Sequence, residues 1–471
     1  MFEYKKIGQI KPICSSKIKT SPVGIGLEKL DRDVFDPEPC YDSLGELGVK
    51  WVRLQSGWAK TEHEKGIYDF EWLDKIVDNL ICRGITPWLC LCYGNALYDE
   101  RANGLAGGIG CPPIHTQQMK DAWAAYCTAV ARHYTGRVAC FEIWNEPDGK
   151  WCWKHGVSAK EYGVFAKETA IAVLKGNPDA KIFGGAFCCH DLSWLNTVLK
   201  EAAEYFDAVT FHDYTTTPEY NNKTDGHSET TDMYYKNLRA LLDMYNPDIE
   251  IIMGETGCHS EYSTKGAVDY CNWTPEKQTK LLLRRILTDT ANGSKFSSYF
   301  SCVDMYENLN GDAVTKNHDD YGFYGVIGEK FENGIATGEY YKKPSYFALQ
   351  TLCALLADSK LCKLPITLHG LYSTFWWSDN EPDDPRYRCA AFELADGRKA
   401  YAYWIAADIL TQTVDTTISM RAINMKTKPE LVDLRDGSVY EIPDEKVEWL
   451  SDTDILIKHL RLTDYPQMLI F

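Results

Sequence analysis

Two glutamates stand where the local pattern could support acid–base and nucleophilic chemistry. Glu146 closes Phe141-Glu-Ile-Trp-Asn-Glu-Pro147, an apolar strand-like run stopped by a proline that cannot continue a ladder. Glu255 closes Ile251-Ile-Met-Gly-Glu-Thr-Gly257, a second apolar run whose flanking glycines admit close approach of a ligand to the backbone. A carboxyl group beside Trp144 and Asn145 is partly desolvated, which favours its protonated form and suits a general acid near neutral pH. Alone, each has a plainer reading: a solvated loop residue at 146, a satisfied structural residue at 255. As a pair at one end of one scaffold they mean more. Carboxyl groups about 5–5.5 Å apart let one attack an anomeric carbon while the other shuttles the proton.

The elements that must position this pair are legible as a rhythm. From residue 20 to 358 short apolar runs alternate with longer helical patterns, the signature of βαβ units. The runs cover 23–30, 50–55, 87–93, 138–144, 181–187, 207–214, 249–255 and 296–303. Between them lie residues at helical spacing, such as Trp72, Ile76 and Leu80. Ser158-Ala-Lys-Glu161 fits a capping box, and Asn-Pro-Asp at 177–179 and 246–248 stops a helix before a strand. Eight such units predict an α/β fold, a (β/α)8 TIM barrel, with Glu146 ending strand four and Glu255 ending strand seven. After residue 358 the pattern becomes short strands and turns such as Asp396-Gly397 and Asp436-Gly437. The runs GLYSTFWW, CAAFELA, AYAYWIA, TVDTTISM, PELVDL and TDILIKHL predict an accessory all-β sandwich over 359–471, to which residues 1–19 add a strand. The long connections 96–117 and 304–343 leave carboxyl ends of strands and are expected to wall a pocket.

Composition narrows the partners. The chain has 471 residues, 45% of them hydrophobic, with 50 basic and 67 acidic residues and a net charge of −17. Such a surface repels nucleic acid and anionic membranes, and no basic stripe offsets it. No apolar run is long enough to span a membrane, and the opening MFEYKKIGQIKPIC has no signal-like core. Seventeen cysteines, many inside apolar runs and none in paired CxxC spacing, read as reduced thiols of a cytoplasmic protein. His190, His212 and His259 show no HxH or HExxH spacing, so neither a metal nor a cofactor is expected.

The WNEP and GETG pair resembles the large clan of retaining glycosidases whose acid/base and nucleophile end strands four and seven. Within it the chain looks most like glycoside hydrolase family 39, the β-xylosidase type. FEIWNEP, the 47–74 stretch with its Gly66-Ile-Tyr-Asp-Phe-Glu-Trp-Leu-Asp74, FHDY at 211–214 and KKPSYFALQTL at 342–352 carry the resemblance. By that resemblance Glu146 is the acid/base, Glu255 the nucleophile, and Asn145 bonds the sugar 2-hydroxyl. His212 and Tyr214 share a strand face; Tyr214 should reach Glu255 and His212 the sugar. Arg53 should lie beneath the site steadying a carboxylate, with Glu142 as its partner. Tyr93, Asn95 and His190 are candidate subsite residues, as are Trp58, Trp151 and Trp153 just past strand ends. Two departures bear on specificity: the small residues around Glu255, and the absence of a tryptophan where strand eight ends in Tyr299-Phe-Ser-Cys-Val-Asp304. The implied activity is exo-cleavage of terminal sugars from short oligosaccharides or glycosides, xylose first, with arabinose, glucose or galactose close behind. The alternatives are a transglycosylase or a sugar-binding barrel without catalysis. The family also implies a homo-oligomer.

Overall fold

The computed structural model describes residues 4–104, 108–222, 228–308, 316–369 and 387–471. Eight parallel strands close into a barrel in chain order: β1 Val23–Gly26, β2 Trp51–Gln55, β3 Thr86–Leu91, β4 Cys140–Ile143, β5 Lys181–Phe187, β6 Ala208–His212, β7 Glu250–Thr256 and β8 Ser297–Tyr299. Their runs are almost wholly apolar because helices cover the outside and side-chain layers fill the inside. The helix signals act as expected. Ser158 Oγ accepts the Glu161 N–H at 3.3 Å, and the helix Ala159–Gly176 stops before Asn177-Pro178. Strand lengths differ from expectation at the ends. The first run leaves the ladder at Gly26 rather than Leu30, since Lys29 adopts a left-handed φ of 67° and turns the chain.

Two layers inside the barrel differ in character. At the amino-terminal end Trp88, Cys140, Phe183, Ala208, Ile252 and Phe296 form an apolar plug, capped by Trp51 stacked on Phe296 at 4.5 Å. Above it the layer turns polar: Arg53 on β2, Glu142 on β4 and Thr210 on β6 meet at the axis, all fully buried. The apolar floor keeps water from below, and the polar layer carries charge to the carboxyl-terminal face.

After the helix Pro344–Leu356 the chain forms two antiparallel sheets. A seven-stranded sheet runs Lys5–Gln9, Ser438–Glu441, Glu430–Asp433, Gln467–Ile470, Lys399–Ile405, Tyr387–Glu393, Lys360–Cys362. A four-stranded sheet runs Ile366–His369, Asp415–Ile423, Asp454–Thr463, Val447–Ser451. The predicted run GLYSTFWW, 370–377, lies outside the described residues. The strand Lys399–Ile405 explains the doubly apolar sequence AYAYWIA. Tyr401, Tyr403 and Ile405 pack against Ile418, Met420 and Ile457 of the second sheet, while Ala400, Ala402 and Trp404 join the barrel's core. This strand is thus buried on both faces. The helix Pro275–Ala291, buried from Gln278 to Thr290, docks against the large sheet. Arg284 there bonds Glu219 at 2.7 Å and the Ala407 carbonyl at 2.7 Å, and Trp404 donates to Glu219 at 2.6 Å.

All 17 cysteines are free and most are buried. Among the described residues no helix is long and apolar enough to cross a membrane.

Candidate active site

Glu146 sits just past β4, where the backbone is strained. Trp144 and Glu146 take positive φ values of 65° and 44°, each costing about 1–2 kcal/mol for a side-chain-bearing residue. The contortion turns Asn145 and Glu146 over the barrel mouth, held by the Glu146 N–H donating to the Ala186 carbonyl at 2.9 Å. Trp144 is driven into the core, where its indole N–H donates to the Cys152 carbonyl at 2.9 Å.

Glu255 is placed by a bulge. Ile252 points into the apolar plug, so strict alternation would aim Gly254 inward and Glu255 outward. The register slips beyond Met253: on the β6 side Met253 pairs with Phe211 but Glu255 with His212. The extra residue re-aims the carboxylate to the axis. The glycines beside it make room for protein, correcting the expectation that they admit ligand. A Cβ on Gly254 would lie 3.2 Å from Thr210, and one on Gly257 would lie 2.0 Å from the Phe300 carbonyl oxygen.

One side chain organises the carboxylates. The buried Arg53 guanidinium donates to Glu142 at 2.7 Å, to Glu255 at 2.6 Å and to the Asn145 amide oxygen at 2.9 Å. Tyr214 donates to the other oxygen of Glu255 at 2.6 Å. Burial pushes the Glu255 carboxyl up, but His212, Arg53 and the Tyr214 hydroxyl outweigh it and hold it below its ordinary value. His212 Nδ1 lies 2.9 Å from Glu146 and 3.7 Å from Glu255. Burial works against its charge, yet the two carboxylates prevail and its pKa is raised, so the imidazole keeps its second proton more readily. One oxygen of Glu146, one of Glu255 and the His212 nitrogen all lie within 4.8 Å of one another.

The pair opens into a cavity of about 1250 Å3 at the carboxyl-terminal face. Nine of the ten sequence-derived residues converge there. Tyr93 lines the wall, accepting from Gln55 at 3.3 Å. His190 lines it too, its Nε2 bonded to the His212 carbonyl at 2.9 Å. Trp151 is half-exposed at the rim, and its indole N–H donates to Glu146. Arg53 lies beneath, as expected. Asn95 is the exception: it turns away from the cavity, donating to the Glu62 carbonyl at 2.9 Å and accepting from the Leu97 N–H at 2.9 Å. Its period-two relation to Tyr93 fails because β3 ends at Leu91 and the chain beyond is a loop. Trp58 and Trp153 are also corrected; both are fully buried in the aromatic core.

The expected walls contribute little. Among the described residues, 96–117 supplies Ile109 and 304–343 supplies Glu307, while the loops after β5 and β7 bring Cys188, Cys189, Leu192 and Ala267. Three positions past β1 also face the cavity, Glu28, Lys29 and Arg32. A carboxylate past a barrel strand's carboxyl end is a signal available from sequence, obscured here by reading the strand through Leu30. Asp148, Cys188 and Cys189 form a second group of potential cation ligands, but Asp148 already accepts the backbone N–H groups of Cys188 at 3.0 Å and Cys189 at 2.7 Å. His259, the remaining histidine considered for a metal, is buried under Tyr324 with its pKa lowered to about 4 by burial, and accepts the Phe323 N–H at 3.1 Å.

Known proteins share this architecture. A β-xylosidase of Geobacillus stearothermophilus is 25% identical over 268 residues, which is 52% of this chain and 50% of that enzyme. A β-galactosidase of Bifidobacterium bifidum is 29% identical over 133 residues, covering 23% of this chain and 19% of that enzyme. The chain thus matches half the length of the first relative and less of the second. A family 39 glycoside hydrolase from Bacteroides cellulosilyticus superposes with a TM-score of 0.69 at 18% identity, over 98% of this chain and 82% of that one. A monomeric β-xylosidase from Caulobacter crescentus does so with a TM-score of 0.61 at 15% identity, over 99% and 97%. The profile of glycosyl hydrolases family 39 matches residues 46–363, and the chain belongs to that family.

Proposed function

We propose that the chain is a retaining glycosidase that removes terminal, β-xyloside-like sugars from short oligosaccharides by double displacement. The observation that carries this is the spacing of the pair, one oxygen of each carboxylate within 4.8 Å of the other. An approach this near suits a retaining pair, whose carboxyl groups stand about 5–5.5 Å apart, better than an inverting pair at about 6.5–9.5 Å. The similarity to a β-xylosidase supports the choice of sugar.

In this reading Glu255 attacks the anomeric carbon as Glu146 protonates the departing oxygen. Glu146 then takes a proton from the water that releases the sugar from the glycosyl ester. Arg53 and Tyr214 keep Glu255 ionised and aimed. His212, whose pKa the two carboxylates raise, stands with its Nδ1 2.9 Å from the acid/base. The Asn145 amide oxygen is occupied by Arg53 and one N–H faces the Cys152 sulfur at 3.5 Å, which leaves the other N–H for the 2-hydroxyl. The chemistry resides in a barrel of residues 20–358, and the β-sandwich of 359–471 with 1–19 is an accessory that buttresses it.

Aryl xyloside, arabinoside, glucoside and galactoside should be offered to wild type and to Glu255→Ala with azide. Turnover of one glycoside by wild type, its loss in the variant, and recovery as a glycosyl azide of inverted configuration are expected. Absence of turnover on all four would overturn the proposal.

A further inference from the structure

We infer that Glu28 is a sugar-recognition residue of the same cavity, hydrogen-bonding the 3-hydroxyl of a neutral pyranose whose anomeric carbon sits between Glu146 and Glu255. The inference rests on the glycosidase reading and goes beyond it in naming what selects the sugar.

Glu28 is 1% exposed and lines the cavity. Among the described residues neither carboxyl oxygen has a hydrogen-bond partner, and no other carboxylate has both oxygens so placed. Its nearest cation is Arg53, 3.5 Å away and already engaged with Glu142, Glu255 and Asn145. The contrast with the structural glutamates is direct. Glu142 accepts from Arg53 and Thr210, and Glu219 from Arg284 and Trp404. A buried carboxyl with its hydrogen bonds unmade is costly, and a ligand entering the cavity can remove that cost.

The chemistry of that ligand follows from the wall. Burial pushes the Glu28 carboxyl up to about 8, so near neutral pH it carries a proton and both donates and accepts. A hydroxyl does the same. The basic side chains nearby leave no surplus charge for a sugar acid or sulfate: Lys29 pairs with Glu307, and Arg32 with Asp31 at 3.2 Å. Position follows from Arg53, which touches Asn145 on one side and Glu28 on the other. With the 2-hydroxyl at Asn145, the next hydroxyl around the ring falls to Glu28. Gly26 makes the arrangement possible, because a Cβ there would lie 2.1 Å from the carboxyl oxygen of Glu28.

The test compares wild type, Glu28→Ala, Glu28→Gln and Gly26→Ala on the glycoside that wild type hydrolyses and on its 3-deoxy analogue. On the intact sugar kcat/KM should fall about 10- to 100-fold in Glu28→Ala and in Gly26→Ala, which keeps the carboxyl but displaces it. Glu28→Gln, which still donates and accepts, should stay near wild type. On the 3-deoxy analogue all four proteins should be alike. Equal losses on both substrates, or no loss on either, would overturn the inference while leaving the hydrolase reading intact. A wild type without turnover would remove both. Should Glu28→Ala not fold, Gly26→Ala gives the same comparison.

Discussion

Replacing Arg53 by methionine removes one guanidinium and little volume, and the structure says what is left behind. Glu142 is fully buried and loses the cation paired with it, Glu255 loses a 2.6 Å donor, and the Asn145 amide oxygen loses its partner. Breaking a buried ion pair from one side costs about 3–5 kcal/mol, because the remaining charge stays desolvated. At about 2.1 cal/mol/K per residue, the 471-residue chain has an unfolding entropy of roughly 1 kcal/mol/K, so calorimetry should find Tm lower by about 3–5 °C. The pH dependence supplies a second readout. Glu255 is held below its ordinary 4.5, burial opposing and His212, Arg53 and Tyr214 prevailing. A depressed carboxyl contributes stability that is present above its unfolded value and lost as pH falls through the folded one. The stability gap between wild type and Arg53→Met should therefore be full above pH 4.5 and narrow below it. The acid limb of kcat/KM should move to higher pH, since Glu255 binds its proton more tightly. Arg53→Lys, with charge but no fork, should recover only part of either effect. An unchanged Tm together with an unmoved acid limb would refute the view that this guanidinium organises the site.

Tyr214→Phe removes the other donor to Glu255. It should shift the acid limb the same way and lower kcat/KM about 10-fold or more, and a limb that stays put would show that the hydroxyl does not hold Glu255 ionised. Trp151→Ala should raise KM for oligosaccharides about 2- to 10-fold through loss of its aromatic face, whereas Trp151→Phe should keep KM and alter kcat through the lost donation to Glu146. Identical kinetics in the two variants would count against stacking. Arg284→Met strips the cation from buried Glu219 at the junction of barrel and sheet. It should cost about 3–5 kcal/mol and make the β-sandwich more susceptible to limited proteolysis; an unchanged Tm would mean the junction does not depend on the pair.

What the amino-acid order determined by itself was whatever depends on near neighbours. Apolar runs of strand length between helical patterns specify eight βα units, and a proline or glycine after a run marks its end, so Glu146 and Glu255 could be located at the mouth. An arginine inside an apolar strand needs a partner, so Arg53 and Glu142 could be paired before the barrel was seen. Tertiary structure decided what depends on the register between strands distant in sequence. The bulge after Met253 exists only against β6 and β8, and it turns Glu255 from outward to inward. Asn95 leaves the site because β3 ends at Leu91 and the following loop closes on Glu62. Glu28 enters it because Lys29 turns left-handed and Gly26 leaves room for its carboxyl, neither of which shows in hydrophobic periodicity. Burial on both faces likewise hid the orientation of the strand Lys399–Ile405, since AYAYWIA has no polar face to show which side packs on the barrel and which on the second sheet. Local pattern encodes which residues leave water. Where a side chain points after a strand ends is set by the chains packed against it.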